Sequence, residues 1–215
     1  LPIWFERPYS RRRAGFERAW GFTVARARLG GMRLFVSVDL PDALAPAVAD
    51  VQSLFADAAG VDPTDPEGTH VTLKFLGETP EHRLDAVADA VSRGVDDADV
   101  DPFEVEYGDL GVFPSLDYIS VVWIGVRRGD LELAHLHDAI ERETTALGYD
   151  PEDHDFTPHA TIARVRHGGG KDQVQAVVVE EEPTIGTTLV DEVHLTESTL
   201  TDDGPRYETV RAFEL

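Results

Sequence analysis

From Arg33 to Leu40 (RLFVSVDL) apolar and polar positions alternate, the period of a strand with one buried face. Pro41-Asp42 closes it. Leu44, Val48, Val51, Leu54 and Phe55 then recur at helical spacing, which predicts a helix over 43–58. The stretch 60–68 (GVDPTDPEG) reads as loop, and His70 to Leu76 (HVTLKFL) as a second strand ended by Gly77. A helix is predicted from Thr79, with Leu84, Val87 and Val91 on one face. Strands follow over 103–110 and 119–126, joined through 111–117, then an amphipathic helix over 131–147 ended by Gly148. Residues 156–165 (FTPHATIARV) predict a strand, 171–178 a weaker helix, and 189–198 and 207–213 two closing strands.

The resulting order, β-α-β-α-β-β-α-β-(α)-β-β, is that of an α/β or α+β chain without the glycine fingerprint of a dinucleotide fold. It contains one long-range echo. His70-Val71-Thr72-Leu73 returns as His159-Ala160-Thr161-Ile162, each copy early in a predicted strand that follows a loop. Two similar halves facing one another would produce this pattern.

In a strand, residues two apart share a face, so His70 projects with Thr72 and His159 with Thr161. Two imidazoles and two hydroxyls around one cavity suit displacement at phosphorus. One imidazole takes a proton from the nucleophile and the other returns one to the leaving oxygen, both near neutral pH. The hydroxyls donate to the non-bridging oxygens, where charge gathers in the transition state. No metal or other cofactor enters this scheme. A single His-x-Thr is as well read as a structural feature; it is the repetition that points to function.

Charge changes the picture of the environment. The chain of 215 residues carries 41 acidic and 19 basic side chains, a net of −22. Only two of the basic residues are lysines, Lys74 and Lys171, while aspartates number 23 and asparagine is absent. Self-repulsion of this size is screened in molar salt, where the Debye length falls to about 3 Å. The composition therefore points to a salt-rich cytoplasm. It argues against binding nucleic acid through a broad basic surface, though not against a locally positive cleft. With no cysteine, disulfides and thiol chemistry are excluded, and no apolar run is long enough to span a membrane.

Residues 1–31 differ from the rest. They hold seven arginines against two glutamates, a net of +5, and leave −27 on the remainder. Met32, the only methionine, opens the first strand. The expectation is a non-native or disordered basic extension over 1–31, with a basic arm or targeting segment as alternatives, and one bilobal domain over 32–215.

The paired motifs resemble the signature of the 2H phosphoesterase superfamily, specifically the RNA 2′,3′-cyclic phosphodiesterases also called 2′-5′ RNA ligases. The likeness runs from Met32 to near the C-terminus. It is carried by RLFVSVDLP (33–41), THVTLKFLGE (69–78), GVFP (111–114), VVWIGV (121–126) and FTPHATIARV (156–165). The resemblance implies a bilobal α/β fold with two antiparallel sheets around a central cleft, helices outside and pseudo-two-fold symmetry. It implies hydrolysis of RNA 2′,3′-cyclic phosphate ends to 2′-phosphomonoesters, with His70 as proton donor and His159 as proton acceptor. Thr72 and Thr161 would hold the phosphate. The expected protein is a monomer with no membrane association and no obligate protein partner. A small cyclic phosphate, such as ADP-ribose 1″,2″-cyclic phosphate, and an RNA-binding or ligating module are the rival readings.

The sequence departs from the family where an arginine often precedes the strand beginning at Ile119; here the stretch is Leu116-Asp117-Tyr118. Lys74, four residues after His70, is expected to share its face and bind substrate instead. Arg164 has the opposite parity from His159 and ranks below it. Arg127, Arg128 and Arg166 are further candidates for a basic cleft floor. Gly168-Gly169-Gly170-Lys171 lacks the Walker spacing and reads as a turn. His135 and His137, two apart on a helix, diverge and make a poor metal pair. His154 lies in an acidic loop. Phe35 and Phe113 could stack a base, although such rings more often belong to a core.

Overall fold

The computed structural model describes residues 31–201 and 204–215. Among the described residues nine strands form one curled antiparallel sheet: β1 (Gly31–Asp39), β2 (Val61–Pro63), β3 (His70–Pro80), β4 (Phe103–Ser115), β5 (Tyr118–Arg128), β6 (His159–Val165), β7 (Thr184–Val190), β8 (Glu192–Thr201) and β9 (Gly204–Glu214). Their order is β7-β4-β5-β6-β3-β1-β8-β9, with β2 added on β6. The two expected antiparallel sheets are the halves of this array, β7-β4-β5-β6 and β3-β1-β8-β9. They join where β3 meets β6, at the pair Val71–Ala160.

Four α-helices among the described residues cover the outside: α1 (Ala45–Ser53), α2 (Leu84–Ala98), α3 (Asp130–Ala146) and α4 (Lys171–Glu180). The core between helices and sheet is aliphatic and continuous across both halves. Val36, Val71, Leu73, Val91, Ile124, Leu136, Ile140, Ile162 and Leu195 are all buried in it. Helices α2 and α3 approach closely at Gly94, where a Cβ would lie 2.8 Å from the Ile140 Cα. Any larger residue there would force the helices apart.

Several elements differ from expectation for local reasons. The 111–117 connector is mostly strand, because β4 and β5 pair out to Ser115–Tyr118 as a long hairpin. Strand β6 begins at His159 and not at Phe156; the Pro158 before it has no N–H for the ladder. Strand β7 lies mostly in a stretch to which the pattern assigns no element, just before the strand predicted over 189–198. It is an edge strand on β4 with a weak apolar pattern, TIGTTLV. The three-residue β2 has no periodicity to read. Apart from Gly31, the basic segment 1–31 lies outside the described residues. Among the described residues no helix is long and apolar enough to cross a membrane.

Candidate active site

Strands β3 and β6 run antiparallel with Val71 opposite Ala160. In that register Thr72 falls opposite His159 and His70 opposite Thr161. Val71 and Ala160 point into the core, so the four motif side chains share the other face, lining the concave side of the sheet. The two histidines sit on a diagonal, for which residues lie about 7–8 Å apart and Cβ atoms somewhat less. That spacing leaves room for one tetrahedral phosphate between the rings.

Each imidazole is held the same way. His70 Nδ1 lies 2.9 Å from the carbonyl of Gly68, and His159 Nδ1 lies 2.6 Å from the carbonyl of Thr157. A carbonyl can only accept, so Nδ1 carries the hydrogen and Nε2 is left for chemistry. Aromatic rings complete both pockets. Phe35 stacks on His70 at 4.8 Å and Tyr207 meets it edge-on at 4.9 Å. Phe113 meets His159 edge-on at 4.8 Å, with Trp123 at 5.9 Å. The Trp123 ring needs Gly111, where a Cβ would stand 2.1 Å from it.

Burial lowers the pKa of both histidines. His159 is pushed down to about 4, opposed by its carbonyl bond and assisted by the charges of His70 and His154. His70 is also lowered by burial, but the Gly68 carbonyl and the nearby Asp39 carboxylate oppose the shift. The asymmetry is chemical: a carboxylate stands beside the first imidazole, and none is among the groups acting on the second.

Asp39 belongs to a network the repeated motif does not reveal. Its carboxylate accepts from Ser37 Oγ at 2.9 Å and pairs with His194 Nδ1 at 2.8 Å; Glu192 takes His194 Nε2 at 2.9 Å. Burial opposes the charge on Asp39, yet His194 and Ser37 outweigh it and hold the pKa below the ordinary value. The bond to Asp39, against some burial and with help from Glu192, lifts His194 to about 9. His194-Leu195-Thr196 is a third His-x-Thr, and Thr196 Oγ1 lies 3.2 Å from Ser37 Oγ. Spacing alone cannot separate it from the other two. Held between two carboxylates, this imidazole stays protonated at neutral pH and acts as a fixed charge. A cavity of about 200 Å³ opens beside His70, bordered by Phe35, Asp39, Glu67, Thr196 and Tyr207.

Lys74 is not in the cleft. It is 1% exposed and faces the helices, ion-paired with Glu141 at 2.6 Å and donating to the Asp150 carbonyl at 2.8 Å. The cause is a β-bulge. Ser37 pairs with Thr72 and Val36 with Lys74, so Leu73 is passed over and parity is reversed from Lys74 until a second shift passes over Leu76. Strand β6 repeats the device. Trp123 pairs with Thr161 and Val122 with Ala163, leaving out Ile162. Arg164, assigned the wrong face by simple alternation, is thereby turned to the cleft side, close enough to His70 and Tyr207 to affect their titration. Arg33 acts on Tyr207 as well. The other expected floor cations are engaged elsewhere: Arg127 with Asp109 at 2.6 Å, Arg128 with Glu104 at 3.2 Å, and Arg166 with Asp62.

The family model of the 2′-5′ RNA ligase superfamily matches residues 40–202, both motifs included. The chain belongs to that superfamily. Among its relatives in the superfamily, the RNA 2′,3′-cyclic phosphodiesterase of Methanothermobacter thermautotrophicus is 34% identical over 189 residues, covering 86% of this chain and 99% of the relative. The protein of the same name from Archaeoglobus fulgidus is 33% identical over 185 residues, covering 85% and 100%. In fold, the superfamily member is similar to TT0787 of Thermus thermophilus, with a TM-score of 0.70 at 26% identity over 86% of this chain and 98% of that one. The apo form of E. coli LigT superposes with a TM-score of 0.69 at 22% identity, covering 86% and 98%.

Proposed function

We propose that this protein hydrolyses RNA 2′,3′-cyclic phosphate ends to 2′-phosphomonoesters, using no metal. The observation that carries the reading is the crossed pairing of two His-x-Thr motifs on one concave face. Names of relatives at 34% and 33% identity over nearly their whole length point to the same substrate class.

In this reading His159 Nε2 takes a proton from water as its oxygen attacks phosphorus. The bond from phosphorus to the 3′ oxygen breaks, and that oxygen receives a proton from His70 Nε2. The products are a 2′-phosphate and a free 3′-hydroxyl. Asp39 favours the protonated form of His70, which suits the donor; His159, lowered to about 4, is neutral as an acceptor must be. Thr72 and Thr161 donate to the non-bridging oxygens. Arg164, in place of Lys74, supplies positive charge on the cleft side. The protein is read as a monomer working in a salt-rich cytoplasm.

The test uses the purified full chain in concentrated KCl, EDTA, and an oligonucleotide ending in a 2′,3′-cyclic phosphate. A 2′-monoester product is expected. A 3′-monoester, activity that vanishes with the chelator, or faster turnover of ADP-ribose 1″,2″-cyclic phosphate would each defeat the proposal.

A further inference from the structure

His137 and Glu141 lie one turn apart on α3, on the face turned toward β3. His137 Nδ1 lies 2.7 Å from the carbonyl of Leu73, the residue passed over in the β3 bulge. Its ring stacks on Phe156 at 4.2 Å with only 4° between planes. Glu141 is ion-paired through Oε2 with Lys74, the next bulge residue, while its Oε1 accepts from the Glu152 N–H at 2.8 Å. Lys74 in turn donates to the Asp150 carbonyl, and Tyr149 OH meets Thr79 Oγ1 at 2.9 Å.

Four of these contacts fall on one segment, 149–156. It has no regular structure to hold it, and it leads directly into Thr157, whose carbonyl orients His159. One strand's bulge and one helix face therefore fasten the approach to the opposite motif. A comparable grip exists across the seam. Gln52 of α1 donates to the carbonyl of Ile162, the passed-over residue of β6, at 2.9 Å.

The geometry points to Lys74, Glu141 and His137 as positioning residues that set the orientation and tautomer of His159 by clamping 149–156 between α3 and the β3 bulge. Side chains buried for stability alone would not need to reach, between them, three points of the one loop that delivers the second imidazole. Isolated buried ion pairs are weak sources of stability, and replacing both partners by apolar groups is often neutral. What an apolar replacement cannot do is hold the Asp150 carbonyl and the Glu152 N–H. The kinetic part of this inference rests on the proposed hydrolysis; the tautomer part does not.

The decisive variant is the double change K74M with E141L, which removes both charges together. V174A, a change at the buried residue of α4, serves as a control for lost stability. ¹⁵N spectra of the imidazoles report which ring nitrogen carries hydrogen. In the wild type both His70 and His159 are expected to show hydrogen on Nδ1, as their carbonyl partners require. In the double variant His159 is expected to become a mixture of tautomers while His70 is unchanged. Its kcat is expected to fall about ten- to a hundredfold with KM nearly constant, the scale for a misplaced catalytic group. V174A leaves the tautomers and kcat as in the wild type. A folded double variant with the wild-type His159 tautomer overturns the inference, whatever the kinetics. A protein without turnover on cyclic phosphate defeats the functional reading and leaves the spectral test standing. Should the double variant not fold, E141Q, which keeps the shape and unbalances the pair, is measured against the same two outcomes.

Discussion

Val71 on β3 stands opposite Ala160 on β6, and this pairing sets each catalytic-candidate histidine beside the threonine of the other motif. Neither half of the chain makes the site alone. In the proposed mechanism each imidazole carries one of two proton transfers, so H70A and H159A are each expected to lower kcat/KM by about 10²–10⁴-fold. On the same proposal T72A and T161A each remove one hydrogen bond to a charged phosphate, at about 1.5–3 kcal/mol, and should cost roughly ten- to a hundredfold. Steady-state kinetics on a cyclic-terminated oligonucleotide decide it. A histidine variant that keeps more than a tenth of wild-type activity would contradict the assignment.

Both histidine pKa values are lowered by burial, His159 to about 4. The acceptor must be neutral and the donor protonated. The profile of kcat/KM, which reports the free enzyme, is therefore expected to be bell-shaped with its maximum on the acid side of 6.5. The limbs belong to the coupled pair. An optimum well above neutrality would show that these rings do not carry the protons.

Arg164 reaches the cleft side only because Ile162 is passed over in β6. R164Q is expected to lower kcat/KM about tenfold or more, the scale of a lost charged hydrogen bond. R166Q, on an exposed side chain paired with Asp62, should leave the kinetics unchanged. Equal effects from the two would place the phosphate elsewhere.

His194 makes stability depend on alkaline pH. Its pKa is raised, from an unfolded value near 6.5 to about 9 in the folded protein. The folded state thus holds the proton more tightly. The stabilisation is complete below pH 6.5 and is lost as pH rises through about 9. His194 is partly exposed to water, which moderates the size of the effect. Melting temperature measured from pH 6 to pH 10 should fall more steeply in the wild type than in H194Q. Parallel curves would mean that the Asp39–His194–Glu192 network contributes nothing to this dependence.

Much of this molecule can be read along the chain. Period-two and period-3.6 patterns locate β1, β3 and the three amphipathic helices α1, α2 and α3, because burial of one face requires those periods. The repeat of His-x-Thr picks out the two strands that meet at the seam, because residues two apart on a strand must share a face. Where periodicity is weak, as in TIGTTLV of β7, the edge position that makes the segment a strand exists only once β4 is in place. Lys74 and Arg164 show the limit most clearly. Alternation assigns one to the cleft and the other away from it, and two bulges reverse both assignments. A bulge arises from how a strand registers against its neighbours, and that registration is decided by packing between distant segments. The third motif, His194-Leu195-Thr196, is distinguished from the first two only by the carboxylates of Asp39 and Glu192 that close around it. Local sequence thus determined the elements and the chemical groups; which groups face the cleft, and in which protonation state, was decided by contacts between residues far apart in the chain.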